Sequence, residues 1–244
     1  MPRFFANPEN IGSDMITLVG DDAYHIARSL RMAVDDTVTV SDGTGITYEC
    51  TLAKIRDDVC ECKIISSAQS SSESPVSVTL YMAYPKGDKL EVVIQKAVEL
   101  GAVRIVPFES ERCIKRPKAE KLDRQLTRLN KIAEEAAKQS GRDRLPEVAR
   151  PVTFSEMLES ASDDALALFC YEGESKRTLK AVLEENRDAK KISVIVGCEG
   201  GFSEEEAMAA RAAGCASVTL GKRILRCETA PSYVLSAISY CFEL

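Results

Sequence analysis

Two stretches near the end of this 244-residue sequence hold residue types from which a ligand site can be built. The first, Val196-Gly197-Cys198-Glu199-Gly200-Gly201-Phe202-Ser203, sets three glycines beside a carboxylate. Without a Cβ, glycine lets backbone N–H groups come close to a bound molecule. The spacing is neither the GxGxxG dinucleotide fingerprint nor the GxxxxGK phosphate loop, and glycine turns after strands are common. On residues alone, a structural turn and a ligand loop both stand. The second stretch, Leu220-Gly221-Lys222-Arg223-Ile224-Leu225-Arg226-Cys227-Glu228-Thr229-Ala230-Pro231, surrounds an Ile-Leu pair with three basic side chains and one acid. Apolar side chains flanked by backbone donors suit a flat heteroaromatic ring such as adenine.

Several side chains are candidates for proton or charge chemistry. Glu199 and Glu228 each have the chemistry to accept a proton, to hold a ligand or to accept backbone N–H groups, and Glu228 is read as the structural acceptor. Arg142 and Arg226 have the charge to stabilise a developing anion, and Arg142 serves equally as a phosphate contact. His25 is the only histidine; it reads as a packing or surface-contact residue and a poor general base. The nine cysteines give one close pair, Cys60-x-Cys62, and no paired CxxC elements. That pattern argues against zinc and for reduced thiols used as small buried hydrophobes, so no metal is expected.

The elements that must position these loops follow from periodicity. Strands are predicted over Met15–Val19, Thr37–Ser41, Ile46–Ile55 and Val59–Ile65, with one helix over Asp21–Arg31 capped by Asp21 or Asp22. Short strands with one helix suggest a small barrel. The serine-rich stretch 66–75 reads as an interdomain linker, and the domains are drawn as 1–70, a connection 71–75, and 76–244. Beyond it strands alternate with helices: strands Val76–Met82, Val103–Pro107, Leu166–Cys170, Ile192–Val196 and Ser217–Leu220. Helices are predicted over Lys86–Leu100, Lys118–Lys138, near Lys176–Glu184, over Glu204–Ala213 and over Pro231–Phe242. This alternation implies an α/β domain with a mostly parallel sheet covered on both faces. Ser203 with Glu206 makes a capping box that fixes the exit of the glycine loop, and Thr229 is expected to cap the last helix. That helix carries Val234, Leu235, Ile238, Cys241 and Phe242 on one stripe, for core packing or for a dimer interface.

Composition sets the outer bounds. The chain is 45% hydrophobic with formal net charge −6, and its longest apolar runs are too short to span a bilayer. No signal-peptide pattern opens the sequence, so a cytoplasmic, non-membrane location is expected. Charge is unevenly spread: residues 1–74 and 151–244 are acidic, while residues 75–150 carry 16 basic and 11 acidic side chains. Phosphate attraction depends on local potential, so a basic face on an acidic chain remains able to bind RNA. A solvated helix face is the plainer alternative.

Four ordered segments carry a resemblance to a known family: QKAVELG (95–101), KIAEEAAKQSGR…P (131–146), GCEGGFS (197–203) and LGKRILRCETA (220–230). Together with PRFF (2–5) and HIARSLRM (25–32), they resemble the RsmE family of bacterial small-subunit ribosomal RNA methyltransferases, of the SPOUT superfamily, along the whole chain. The resemblance implies a PUA-like β-barrel that grips RNA, followed by a SPOUT-type α/β domain whose chain ends in a trefoil knot. It implies a homodimer through the last helix, S-adenosylmethionine as cofactor, and N3 of a uridine in 16S rRNA of the small subunit as target. Cofactor contacts are expected from Cys170 and Glu172 and from Gly197, Glu199, Gly200 and Gly201. Leu220, Gly221, Ile224, Leu225 and Arg226 complete that set. Glu199 and Arg142 are expected to assist N3 deprotonation. RNA contacts are expected from Arg3, Arg28, Arg31, Arg112, Lys115, Arg116 and Arg124. Cys198 and Cys227 stand where the family usually has proline and threonine. The rival classes are another SPOUT enzyme acting on tRNA or a ribose 2′-hydroxyl, and a non-catalytic RNA-binding assembly factor.

Overall fold

The computed structural model describes residues 1–69, 72–114, 116 and 119–244. It divides into two compact units, Met1–Glu73 with Ala137–Leu145, and Ser74–Ala136 with Pro146–Leu244. The segment Ala137–Leu145 therefore counts with the first unit, whereas the sequence alone suggested one uninterrupted domain over 76–244.

Five strands build the first unit: β1 (Arg3–Phe5), β2 (Met15–Val19), β3 (Thr37–Ser41), β4 (Ile46–Ile55) and β5 (Val59–Gln69). Their order is β1-β3-β4-β5-β2, antiparallel except for β1 beside β3. Side chains alternate faces along a strand, so Ile16 and Leu18, Val38 and Val40, Cys50 and Leu52, Cys60 and Cys62 all enter one core. β1 was not foreseen, being only three residues long. β5 runs on to Gln69, paired with Ile46, into the serine-rich stretch predicted as linker. Its last residues are exposed, and ladder hydrogen bonds need no apolar side chain there. The predicted helix over Asp21–Arg31 is α1 (Asp21–Tyr24) followed by a π turn over His25–Ser29. Its N-cap is Gly20 at φ +64°, not an aspartate.

The returning segment is tied in by a buried polar network. Glu73 Oε1 accepts the N–H groups of Asp143 and Arg144, both at 3.0 Å, while Arg142 Nη2 donates to Glu73 Oε2 at 2.6 Å. Ser41 Oγ donates to the Asp143 carbonyl at 2.6 Å, and Arg3 is ion-paired with the Asp143 carboxylate. Arg142 is 5% exposed. Its guanidinium, expected to assist N3 deprotonation, pairs in this chain with the Glu73 carboxylate inside the first unit. Arg3, expected on RNA phosphate, is likewise half-buried on Asp143.

In the second unit seven strands form one parallel sheet. They are β6 (Ser77–Ala83), β7 (Ala102–Glu109), β8 (Glu147–Val148), β9 (Val152–Thr153), β10 (Leu166–Cys170), β11 (Lys191–Val196) and β12 (Ala216–Val218). The order is β12-β10-β11-β6-β7-β8, with β9 also on β7, and every pairing is parallel. All of β10 is buried, as are the last five residues of β11, the continuous apolar runs that a sheet covered on both faces demands. The helices are α2 (Lys89–Glu99), α3 (Leu122–Ser140, which runs into the first unit), α4 (Phe154–Ser162), α5 (Leu179–Glu185), α6 (Glu204–Ala212) and α7 (Thr229–Phe242). Lys118, the predicted start of α3, lies outside the described residues. α4 was missed in the sequence, although Thr153 and Glu156 make a full capping box there. α7 begins two residues earlier than predicted; its N-cap is Glu228, with no side-chain cap bond, so Thr229 is not the cap.

Candidate functional site

Strands β12, β10 and β11 are neighbours and parallel, so their carboxyl ends open on one side of the sheet. Open α/β sheets bind ligands at such ends. The loops that follow these three strands converge on one cavity of about 610 Å³, to which α2 adds Lys89 and α7 adds Ala230. Every residue the resemblance assigns to the cofactor lines it: Cys170 and Glu172 after β10, the Gly197–Gly201 turn after β11, and the Leu220–Arg226 stretch after β12. Arg142 belongs to the first unit and lines none of it. Lys89, Tyr171, Thr219 and Arg223 also face the cavity and were not singled out from the sequence.

The glycine turn is shaped by what lies under it. The N–H of Gly201 donates to the Cys198 carbonyl at 2.9 Å, closing the turn, and Gly201 sits at φ +64°. A Cβ on Gly201 would collide with the Glu172 carboxylate, whose Oε1 accepts the Phe202 N–H at 3.3 Å. A Cβ on Gly197 would stand 3.1 Å from the Phe202 ring. The capping box foreseen at Ser203 and Glu206 is present, and Glu206 is 7% exposed. Gly201→Ala must hold a left-handed backbone, costing about 1–2 kcal/mol, and push Glu172 off its N–H group. We expect at least a tenfold loss of S-adenosylmethionine affinity by calorimetry, with the melting temperature lowered by about 2–4 °C for each kcal/mol of stability lost. An affinity equal to that of the unaltered chain would remove the turn from the site.

Charge concentrates at one wall. Lys89 Nζ stands 2.9 Å from Glu199 Oε1, 3.2 Å from Glu228 Oε2 and 3.9 Å from Cys227 Sγ. Glu199 also accepts the Lys86 N–H at 3.1 Å. Partial burial opposes ionisation of Glu199, but the Lys89 ammonium and backbone N–H groups outweigh it and hold that carboxyl below its ordinary range. Backbone hydrogen bonding, Cys227 and Lys89 do the same for Glu228. The two carboxylates in turn hold Lys89 protonated well above its usual range. A carboxylate stabilised in this way is a weak base, so Glu199 is better suited to holding position than to removing a proton. Cys227 donates its thiol to Glu228 at 3.3 Å, a bond a threonine hydroxyl would also make, and burial pushes that thiol up to about 12. Cys198 and Cys113 face the same Ser110 hydroxyl, at 4.0 and 3.4 Å.

The basic residues expected at RNA have varied surroundings. Arg28 is exposed but paired with Asp57 at 2.5 Å, and Arg31 is exposed at φ +52°. Arg116 pairs with Glu109 at 2.7 Å, and Arg124 is exposed on α3. Arg112 Nη1 donates to the Gly200 carbonyl at 2.9 Å, so it braces the glycine turn. Lys115 lies outside the described residues. His25 is exposed, edge-on to Phe4 with ring centroids 6.5 Å apart.

Known proteins share these features along the chain. The model of an RNA methyltransferase domain matches residues 72–239, and that of an RNA methyltransferase PUA domain matches residues 18–65. Ribosomal RNA small subunit methyltransferase E of Bacillus subtilis (strain 168) is 34% identical over 93% of this chain and 91% of its own. The protein of the same name from Synechocystis sp. is 34% identical over 99% and 78%. Among solved structures, a ribosomal RNA small subunit methyltransferase E from Neisseria gonorrhoeae bound to S-adenosyl methionine superposes with TM-score 0.84 at 31% identity, covering 99% of this chain and 98% of that one. A methyltransferase from Legionella pneumophila in complex with bound cofactor SAM gives TM-score 0.87 at 28% identity, over 98% and 96%.

Proposed function

This chain belongs to the family of RNA methyltransferases that includes ribosomal RNA small subunit methyltransferase E, and from that premise we propose that it methylates N3 of a uridine in 16S rRNA. It is an S-adenosylmethionine-dependent ribosomal RNA methyltransferase. The observation that carries this reading is the convergence of three strand-end loops on one cavity of about 610 Å³, within the roughly 300–1,000 Å³ usual for ligand sites. Its walls fit the cofactor. Ile224 is 80% exposed and Leu225 half-buried, an apolar pair with surface left for a flat ring. Gly200 and Gly201 bring backbone to the cavity without side chains in the way. When bound, S-adenosylmethionine supplies the electrophilic methyl group.

The chain's own residues then have three tasks. Backbone of the Gly197–Gly201 and Leu220–Leu225 loops orients the donor. Arg226 lies exposed on the cavity wall, where its charge would stabilise a uridine whose N3 proton passes to solvent water as the methyl group arrives. Glu199, held ionised by Lys89, positions groups at the same wall. The basic residues Arg28, Arg31 and Arg124 are the exposed candidates for phosphate contact.

The enzyme works as a homodimer in the cytoplasm, without a metal. Tyr233 and Tyr240 on α7 are 47% and 74% exposed, and Val92 on α2 is 50% exposed, apolar surface suited to a second copy. Light scattering at the mass of two chains tests the dimer. No helix among the described residues is long and apolar enough to cross a membrane. The decisive experiment is nucleoside mass spectrometry of 16S rRNA from cells with and without the gene. 3-Methyluridine should vanish on deletion and return with the intact gene. Its persistence, or loss of a modification from tRNA instead, would overturn the target.

A further inference from the structure

Lys89 is the first residue of α2 and the only ammonium that the described residues bring to the cavity wall. Its two carboxylate partners come from different loops, Glu199 from the turn after β11 and Glu228 from the end of the loop after β12. Two carboxylates around one ammonium leave a cluster one charge short of neutral. Glu199 lines the cavity itself, while Glu228 follows the lining residue Cys227; the other charged groups that line the cavity are Glu172, 4.0 Å from Arg112, and the exposed Arg223 and Arg226. A cavity of about 610 Å³ is roughly 10 Å across, close to one Debye length at physiological salt. An ion anywhere inside it feels that cluster.

The proposed reaction begins with a cationic donor and ends with a neutral product, because the sulfonium gives up its methyl group and keeps the electron pair as a thioether. We propose that Lys89 sets the charge of the site, and through it the discrimination between the sulfonium donor and its thioether product. The inference rests on the donor binding in this cavity. Without Lys89 the Glu199 carboxylate on the wall and the Glu228 carboxylate next to it would stand unneutralised and hold the cation more tightly than the product. Extra stabilisation of the cationic ground state is lost as charge leaves sulfur, so it would also slow transfer. With Lys89 present the wall attracts the donor without trapping it.

The test is calorimetric titration of the full-length protein with S-adenosylmethionine and with S-adenosylhomocysteine, in K89M, K89R and E228Q beside the unaltered chain. One elementary charge at roughly 8 Å, in an effective dielectric of about 40, is worth about fivefold in affinity. The ratio of product Kd to donor Kd should rise by about that factor in K89M, hold in K89R and fall in E228Q. Both shifts should shrink at high salt. If K89M and E228Q weaken both ligands equally, Lys89 is only a tie between loops or a contact to a group the two ligands share, and the proposal fails. If K89M does not fold, E228Q alone decides, since its predicted shift has the opposite sign. Failure of the unaltered chain to bind either ligand would instead overturn the enzyme reading.

Discussion

Phe202→Ala should destabilise the second unit by about 3–5 kcal/mol, the usual cost of emptying a buried aromatic site. Phe202 is 1% exposed and its ring packs 4.2 Å, centroid to centroid, from Phe169 on β10. It is stacked on Phe108 at 6.3 Å and meets Phe154 at 6.4 Å. These rings belong to β7, β10 and α4, so one side chain joins three elements under the glycine turn. The cavity left by alanine would be lined by rings that cannot collapse into it without moving β7, β10 or α4, and β10 leads directly into the site. Donor affinity should therefore fall together with stability. Phe202→Leu keeps most of the volume and should cost less than about 1.5 kcal/mol. Urea midpoints for the two variants, read with calorimetric donor affinities, check both statements. A stable Phe202→Ala protein with normal affinity would mean that the ring does not support the turn.

Much of this arrangement is written locally. The strand Leu166–Cys170 has its predicted ends, because it lies inside a short apolar run, Ala165–Tyr171, bounded by Asp164 and Glu172, which has few other readings. The Ser203 and Glu206 capping box was legible for the same reason: its partners are three residues apart. The Thr153 and Glu156 box is an equally local signal for the start of α4. Elements of two or three residues, such as β1, β8 and β9, have no period to detect. The site's loops were recognisable as segments, yet nothing in their spacing says that Lys89 reaches Glu199 and Glu228. Those ion pairs span the chain and exist only once β11, β12 and α2 are assembled. The bracing of Gly200 by Arg112 is of the same kind, and charge counting had sent Arg112 to RNA.

Arg142 makes the sharpest separation between residue type and role. An arginine in a basic segment looks available for a phosphate or an anion, but the partner of Arg142, Glu73, lies 69 residues earlier and leaves no local trace. The side chains of Arg142 and Glu73 are 6% and 17% exposed, so removing one leaves the other's charge poorly hydrated. Arg142→Ala should cost the first unit about 3 kcal/mol. Two backbone N–H groups, of Asp143 and Arg144, still reach Glu73 and keep the loss from being larger. Hydrogen exchange at β3 and at 137–145 should accelerate by roughly a hundredfold, since each 1.4 kcal/mol or so is tenfold in an opening equilibrium. Glu73→Gln keeps the acceptor carbonyl but drops the charge, and should fall between the two. Donor affinity in the second unit should stay within about twofold, because Arg142 lines none of the cavity. A protein that keeps its exchange protection but loses methyl transfer would return Arg142 to the chemistry and remove this network as its reason for being there.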